Sequence, residues 1–355
     1  MDILGGQAVQ ASRLLTRLSS EPSIQISFLP VNPRLPGILR NLQRFKYIRT
    51  LVTSLWYWLS LLSCIPRNDI IHIFSASYFS FLLAPTPAVL VARLFKKASV
   101  LNYRSGEAED HLTNWSSARW VIRLVDKIVV PSGYLVDVFA KFGFRASVIS
   151  NFVDLDQFTF RDRQMLRPVF LSNRNFESHY NVACVLMAFG LIQQSFPEAH
   201  LTVVGEGTQK LILHRLAQQL KLNNTDFVGA ISPEEMPKFY NASDIFLNAP
   251  NIDNMPGSII ESFATGVAVV TTDAGGIPYI VKDAETGLMV AKEDYTAMAH
   301  AAIRLLRDHE LAARIVRNAY RECDKYKWSA VRSRWIALYN QLVWCDEFIP
   351  DTERV

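Results

Sequence analysis

Residues 248–281, NAPNIDNMPGSIIESFATGVAVVTTDAGGIPYIV, decide how the rest of the chain is read. The apolar run ending at Leu247 is short enough for a buried strand. Pro256 and Gly257 then open a helical pattern that Gly266 closes, and Val267 to Thr272 is a β-branched strand with Gly275 and Gly276 directly after it. The pattern predicts strand, helix, strand, helix. Two successive strand-to-helix turns in a parallel sheet place two helix N-termini at one sheet edge, where free N–H groups and the macrodipole attract an anion such as phosphate.

In the first of these helices Gly257 and Glu261 are one turn apart and share a face. The glycine admits a ligand close to the backbone, the carboxylate can accept two hydrogen bonds from a vicinal diol such as ribose, and Asp253 can reach the same place from the loop. A plainer reading stays open for each: Asp253 and Asn254 as helix caps, Glu261 as a solvated carboxylate, the glycines as turn punctuation.

Taken together, the segment resembles the signature of the retaining, nucleotide-sugar-dependent glycosyltransferases of family four, also called glycosyl transferases group 1. That signature is a Glu, seven residues and a second Glu, then a small-residue helix end, a Val-Val strand and a Gly-Gly turn. Asp253, seven residues and Glu261 stand at those positions, with Ala264 to Gly266, Val269-Val270 and Gly275-Gly276 after them. Two positions depart: the first carboxylate is Asp, and Tyr279 stands where an acidic residue often comes after the glycine pair. The resemblance implies an α/β, GT-B fold with two Rossmann-like domains facing a central cleft and a C-terminal helix crossing back to the first domain. It implies a Glu261 that holds the donor ribose, and a loop of Asp253, Asn254, Met255, Pro256 and Gly257 that faces the donor sugar.

The whole chain agrees with two folded domains: 355 residues, half apolar and one-fifth charged. Four scattered cysteines without a CxxC pair suggest neither a disulfide framework nor structural zinc and suit a reducing cytoplasm. Net charge is +4, but residues 1–66 hold seven Lys/Arg against two Asp/Glu.

The expected domains are 1–160 for the acceptor, 168–325 for the donor and 326–355 as the returning helix. At the N-terminus Gly5 and Gly6, which the resemblance makes donor-binding candidates, open an amphipathic helix with only four residues ahead of them, so the first Rossmann strand is expected to be missing through a mis-assigned start or truncation. No cleavable signal peptide is visible. Ile24–Leu29 reads as a strand. Residues 38–52 form a basic amphipathic pattern that runs into Leu51–Ile65, uncharged and rich in Leu and Trp. That run is short for a membrane span, which needs about 20 apolar residues, and suits a helix lying on a bilayer or one buried against its own sheet. Residues 70–92 read as strand, turn and buried helix.

Val100–Tyr103 is a strand, and the loop after it offers Arg104, Glu107, Asp110 and His111 ahead of a helix near His111. Glu107 is the catalytic candidate there, against a solvated capping loop. Asn151 to Asp154 and Phe158 resemble the family's join between domains. Asp154-Leu155-Asp156 spells a metal-diphosphate tripeptide, but its position argues for structure, and no essential metal or other cofactor is expected beyond the nucleotide diphosphate sugar. Arg161–Arg167 reads as a linker. After the strand at Val169, Arg174 matches a diphosphate-neutralising arginine of the family, and His179 stands where the family has lysine, with Glu177 placed to hold it protonated. Gly205 and Gly207 match a Gly-x-Gly donor turn, and Gly229 is placed against the base.

The expected function is transfer of a sugar, with retention, from a nucleotide diphosphate donor to a glycan or lipid-linked acceptor. The expected setting is the cytoplasm, with peripheral contact with the inner membrane face through residues 36–66. Alternatives are a nucleotide-sugar epimerase and a degenerate nucleotide-sugar-binding protein without turnover. Nucleic acid is not an expected partner, because the basic residues accompany an apolar helix.

Overall fold

The computed structural model describes residues 6–33, 46–75 and 77–347. Residues 1–5, with Gly5 and the expectation of a missing first strand, lie outside the described residues, as do 34–45 of the basic pattern. The chain divides into two compact units, Met1–Ile149 with Arg332–Val355, and Ser150–Val331.

In the first unit four parallel strands, β1 (Ile70–Ser75), β2 (Ala98–Tyr103), β3 (Lys127–Val130) and β4 (Ala146–Val148), lie in sequence order. Consecutive parallel neighbours require a crossover each time, here by helices such as Pro85–Leu94 and Gly133–Lys141. Every residue of β2 is buried, the polar Ser99 and Asn102 included, as a strand covered on both faces requires. Ile24–Leu29, expected as a strand, is not one: Phe28 points outward at 56% exposure, and no described strand pairs with these residues. Leu51–Cys64 is helical, within Lys46–Cys64, with Thr53, Tyr57 and Leu61 buried toward the core, and Ile65 begins the 3-10 turn Ile65–Arg67. No described helix is long and apolar enough to cross a membrane. The last helix, Trp328–Glu347, packs into this unit from Arg332 onward: Trp335 is buried beside His72, Tyr339 meets His72 at 2.7 Å and Arg332 pairs with Glu21.

The second unit is a six-stranded parallel sheet in the order β10–β9–β8–β5–β6–β7, with β5 Val169–Asn173, β6 His200–Val204, β7 Thr225–Gly229, β8 Ile245–Asn248, β9 Ala268–Thr272 and β10 Leu288–Val290. The order runs outward from β5 through β6 and β7, then returns to the other side of β5 with β8. The boundary between β5 and β8 is therefore the topological switch point. The helix Gly257–Thr265 ends at Gly266 in the left-handed region (φ 71°), the expected stop. The expected helix after Gly275-Gly276 is absent; only the single 3-10 turn Ile277–Tyr279 forms, and the chain turns again at Lys282–Thr286, where Glu285 and Thr286 N–H both donate to Lys282 C=O. The ends of this unit lie together, with Val153 N–H donating to Tyr326 C=O at 3.0 Å and the Phe152 and Trp328 rings 4.9 Å apart.

Arg161–Arg167 is not a loose linker. Asp244, 1% exposed at the side chain, opens β8 and receives Arg163 Nε at 2.9 Å, Arg167 Nε and backbone N–H at 2.9 and 2.8 Å, and Arg161. Arg163, equally buried, also donates to the carbonyls of Ser243, Tyr240 and Thr265. Burial alone would raise the Asp244 pKa, but the hydrogen bonds of Arg167 and Arg163 and the charge of Arg161 outweigh it and hold it below the usual carboxylate value. Asp244→Ala leaves Arg163 buried without a counter-ion and should cost about 3–5 kcal/mol in denaturant unfolding. In wild type this contribution is present above the unfolded carboxylate pKa and is lost as pH falls through the depressed folded value, below about pH 4.

The first unit responds to acid sooner. His111 is buried in the helix Ala108–Asn114, with Nδ1 2.8 Å from Tyr103 Oη, and burial lowers its pKa to about 4. The unfolded chain takes up that proton near pH 6.5 and the folded chain does not, so stability falls as pH drops below about 6.5. Thermal unfolding between about pH 7 and pH 5 should show this slope, and His111→Phe should lessen it, leaving the share of His72, whose burial lowers its pKa to about 3.

Candidate functional site

Six polar side chains converge at the carboxyl ends of β5 and β8, outside the switch point. Asn173 ends β5 and Arg174 comes next; Asn248 ends β8. Arg174 Nε donates to Asn248 Oδ1 at 2.8 Å, its Nη2 pairs with Asp253 Oδ2, and its guanidinium lies 4.6 Å from the Tyr180 ring centroid. Tyr240, fully buried, donates its hydroxyl to Glu261 Oε2 at 2.9 Å and is 3.3 Å from Asn173 Nδ2. The strands bring these residues together from far apart in sequence because β5 and β8 are hydrogen-bonded neighbours.

The electrostatics are set by burial. Arg174 is 12% exposed at the side chain, and burial lowers its pKa against the raising influence of Tyr180, Tyr240 and Glu261. Burial, with the Glu261 charge, raises the Tyr240 pKa well above its ordinary value, so the phenol remains a donor to the carboxylate. An arginine so enclosed is a strong point of attachment for an anion that can follow it out of water.

The loop between β8 and the helix Gly257–Thr265 is held from below. Gly276 N–H donates to Asp253 C=O at 3.1 Å, Asn151 Nδ2 donates to Met255 C=O at 2.9 Å, and Asn254, Met255 and Pro256 are buried. Pro256 is the N-cap residue, with no side-chain cap bond of its own. Asp253 Oδ1 accepts the N–H of Asn254 at 2.8 Å. Ser258, in the first turn of the helix, has a buried Oγ with no hydrogen-bond partner among the described residues.

The other expected residues divide between structure and site. The Gly205–Gly207 turn is filled by the chain itself: a Cβ on Gly205 would meet Arg174 C=O at 2.0 Å, and one on Gly207 would meet Phe176 C=O at 2.7 Å. These glycines seat the loop that carries Arg174. Gly229 accepts Gly205 N–H at 2.9 Å, at the end of β7. His179 lies in the turn Ser178–Tyr180, and its carbonyl accepts from Asn251 N–H at 2.8 Å, which ties that turn to the loop after β8. Glu177 does not hold His179; both its oxygens are taken by Thr208, at 3.0 Å from N–H and 2.6 Å from Oγ1, because the Gly207 turn presents those donors first. Glu107 and Gly6 belong to the first unit, Glu107 as the exposed N-cap residue of Ala108–Asn114 and Gly6 as the first residue of a helix. The helix Ala108–Asn114 begins earlier than expected, and it buries His111 rather than presenting it. Sequence reading missed Tyr240, Asn248, Asn173 and Ser258. Tyr240 reads as one more apolar position in Met236–Ala242, and only the strand order reveals that it reaches Glu261.

The family model described as glycosyl transferases group 1 matches residues 157–322, and that described as Glycosyltransferase Family 4 matches residues 5–157. A sulfoquinovosyl transferase of Arabidopsis thaliana is 26% identical over 234 residues, covering 62% of this chain and 45% of its own. A phosphatidyl-myo-inositol mannosyltransferase of Mycolicibacterium smegmatis is 27% identical over 178 residues, covering 49% of this chain and 45% of its own. The chain thus spans under half the length of these two relatives. Among solved structures, Anabaena HepE in complex with UDP superposes with a TM-score of 0.74 at 14% identity, covering 96% of this chain and 98% of that one. Such a likeness shows the fold.

Gly276 tests how tightly the loop is fixed. A Cβ there would stand 1.9 Å from Asn254 C=O, a backbone atom that cannot swing aside. Gly276→Ala should therefore lower stability by about 1–3 kcal/mol in chemical denaturation.

Proposed function

The chain belongs to the glycosyl transferases group 1 family, and on that premise we propose that it transfers a sugar from a nucleotide diphosphate sugar to a glycan or lipid-linked acceptor, with retention at the anomeric carbon. The observation that carries this reading is the convergence, at one switch point, of the enclosed Arg174, a helix N-terminus without a side-chain cap and Glu261 braced by Tyr240. Arg174 and the N–H groups at Gly257 and Ser258 take the diphosphate, Glu261 takes the ribose hydroxyls, and Gly229 borders the base. His179, on the turn tied to the same loop, adds its charge to the leaving group when protonated.

The pairing of Arg174 with Asp253 gives the donor something to displace. As the diphosphate engages the guanidinium, Asp253 is released toward the sugar, on the loop of Asn254, Met255 and Pro256. The bond from the anomeric carbon to the diphosphate oxygen then breaks, the bond to the acceptor oxygen forms on the same face, and the acceptor proton passes to the departing phosphate. The protein's contribution is electrostatic stabilisation of the leaving diphosphate, without an essential metal. Two facts support the acceptor and donor classes: one relative is named a phosphatidyl-myo-inositol mannosyltransferase, and HepE was crystallised with UDP. The proposed setting is the cytoplasm, on the inner face of the membrane, with nucleic acid having no part.

Calorimetric titration of the purified chain with UDP, GDP and ADP tests the reading. One of them should bind, and Glu261→Ala should weaken it by about tenfold or more, the loss of charge-assisted hydrogen bonds to a diol. A folded chain that binds none of the three, alone or as sugar conjugates, would refute the reading. Binding of a nucleotide sugar without turnover toward any glycan or lipid-linked acceptor would favour the non-catalytic alternative.

A further inference from the structure

The helix Lys46–Cys64 is apolar on both sides although only one side is covered. Thr53, Tyr57 and Leu61 face the first unit's core, and the helix packs on Pro85–Leu94. The other side carries Leu51 (72% exposed), Leu55 (60%), Trp58 (49%), Leu59 (54%) and Leu62 (44%), with Trp56 at its flank. At three-to-four spacing these form a continuous ridge, about 16 Å long at the helical rise. A solvent-facing helix of a globular unit is expected to be polar on that side. Ridge residues of this size and continuity mark an interaction surface.

The charge at the ends of the ridge says what it meets. From Pro22 to Asn68 the sequence has no Asp or Glu. Arg49 and Arg67 are exposed, just before the ridge and just beyond the helix. A leucine ridge with tryptophans beside it and cations at both ends matches the layered chemistry of an anionic bilayer surface, acyl chains below and phosphates above. The helix cannot cross, since no described helix is long and apolar enough to span. A second copy of the same surface would bring like charges together.

We propose that the exposed face of Lys46–Cys64, residues Leu51 to Leu62, inserts into the headgroup boundary of an anionic lipid bilayer and docks the first unit there. The docking is independent of the donor reading, because it uses neither Arg174 nor Glu261. It narrows the peripheral contact expected over residues 36–66 to one helix face and fixes its source as lipid.

Sedimentation of the full chain with vesicles of phosphatidylglycerol and phosphatidylcholine, against vesicles of phosphatidylcholine alone, tests it. The chain should pellet with the mixed vesicles, bind them less as salt is raised and leave the neutral ones largely free. The double variant Leu55→Glu with Leu59→Glu alters two exposed positions, so its thermal midpoint should match wild type, and its vesicle affinity should fall by about tenfold or more. Arg49→Glu should reduce binding to mixed vesicles alone. Failure of the wild-type chain to bind mixed vesicles, or full binding by the double variant, would overturn the proposal. So would a wild-type dimer in solution that the double variant dissolves while vesicle binding is absent. Nucleotide binding measured on the same samples reports separately on the second unit.

Discussion

The ion cluster at Asp244 is the constraint on which the geometry of the second unit depends. A carboxylate in the core is costly unless every lone pair is answered, and three arginines and a backbone N–H answer this one. Its own backbone joins neighbouring strands: Asp244 N–H donates to Val169 C=O, and its C=O accepts from Ala268 N–H. The cluster therefore clamps the amino ends of β5, β8 and β9 in one register. Strands of four or five residues leave little room for error, so a register fixed at one edge fixes where Asn173, Arg174 and Asn248 emerge at the other. The geometry of the upper edge rests on a knot at the lower one.

The upper edge is built on the same economy. Arg174 leans on Asn248, Asp253 and the Tyr180 ring, and Glu261 on Tyr240. Each buried charge meets a partner that a polar ligand can replace or extend, so the site stays ordered before anything binds. Preorganisation of this kind places the ordering cost in folding rather than in association.

How much of this the sequence discloses depends on range. The helix Gly257–Thr265 with its Gly266 stop, and the buried strands around it, are legible because pattern, turn residue and burial agree within a few positions. The missing helix after Gly275-Gly276 shows the limit of local signals, since a glycine pair marks a turn without dictating the next element. Arg161–Arg167 resembles a linker because charge density is a reliable surface signal except where the counter-ion is distant in sequence, and Asp244 lies 81 residues beyond Arg163. Tyr240 escapes for the same reason: its partner Glu261 is 21 residues away, and an aromatic among apolar neighbours reads as core. The glycines at 205 and 207 are legible as a turn, but what they make room for is the loop of Arg174, which only the pairing of β5 with β6 reveals.

The second unit is an insertion in the first, since the chain leaves at Ile149 and returns at Arg332. Val153 and Tyr326 share a hydrogen bond and Phe152 stacks near Trp328, so the two ends of the inserted stretch emerge side by side. Such a unit behaves as a cassette. Its fold does not depend on the host chain to bring its ends together, and exchange of the whole stretch between related chains would require only two adjacent junctions to match. What each unit binds can therefore vary by recombination as well as by substitution.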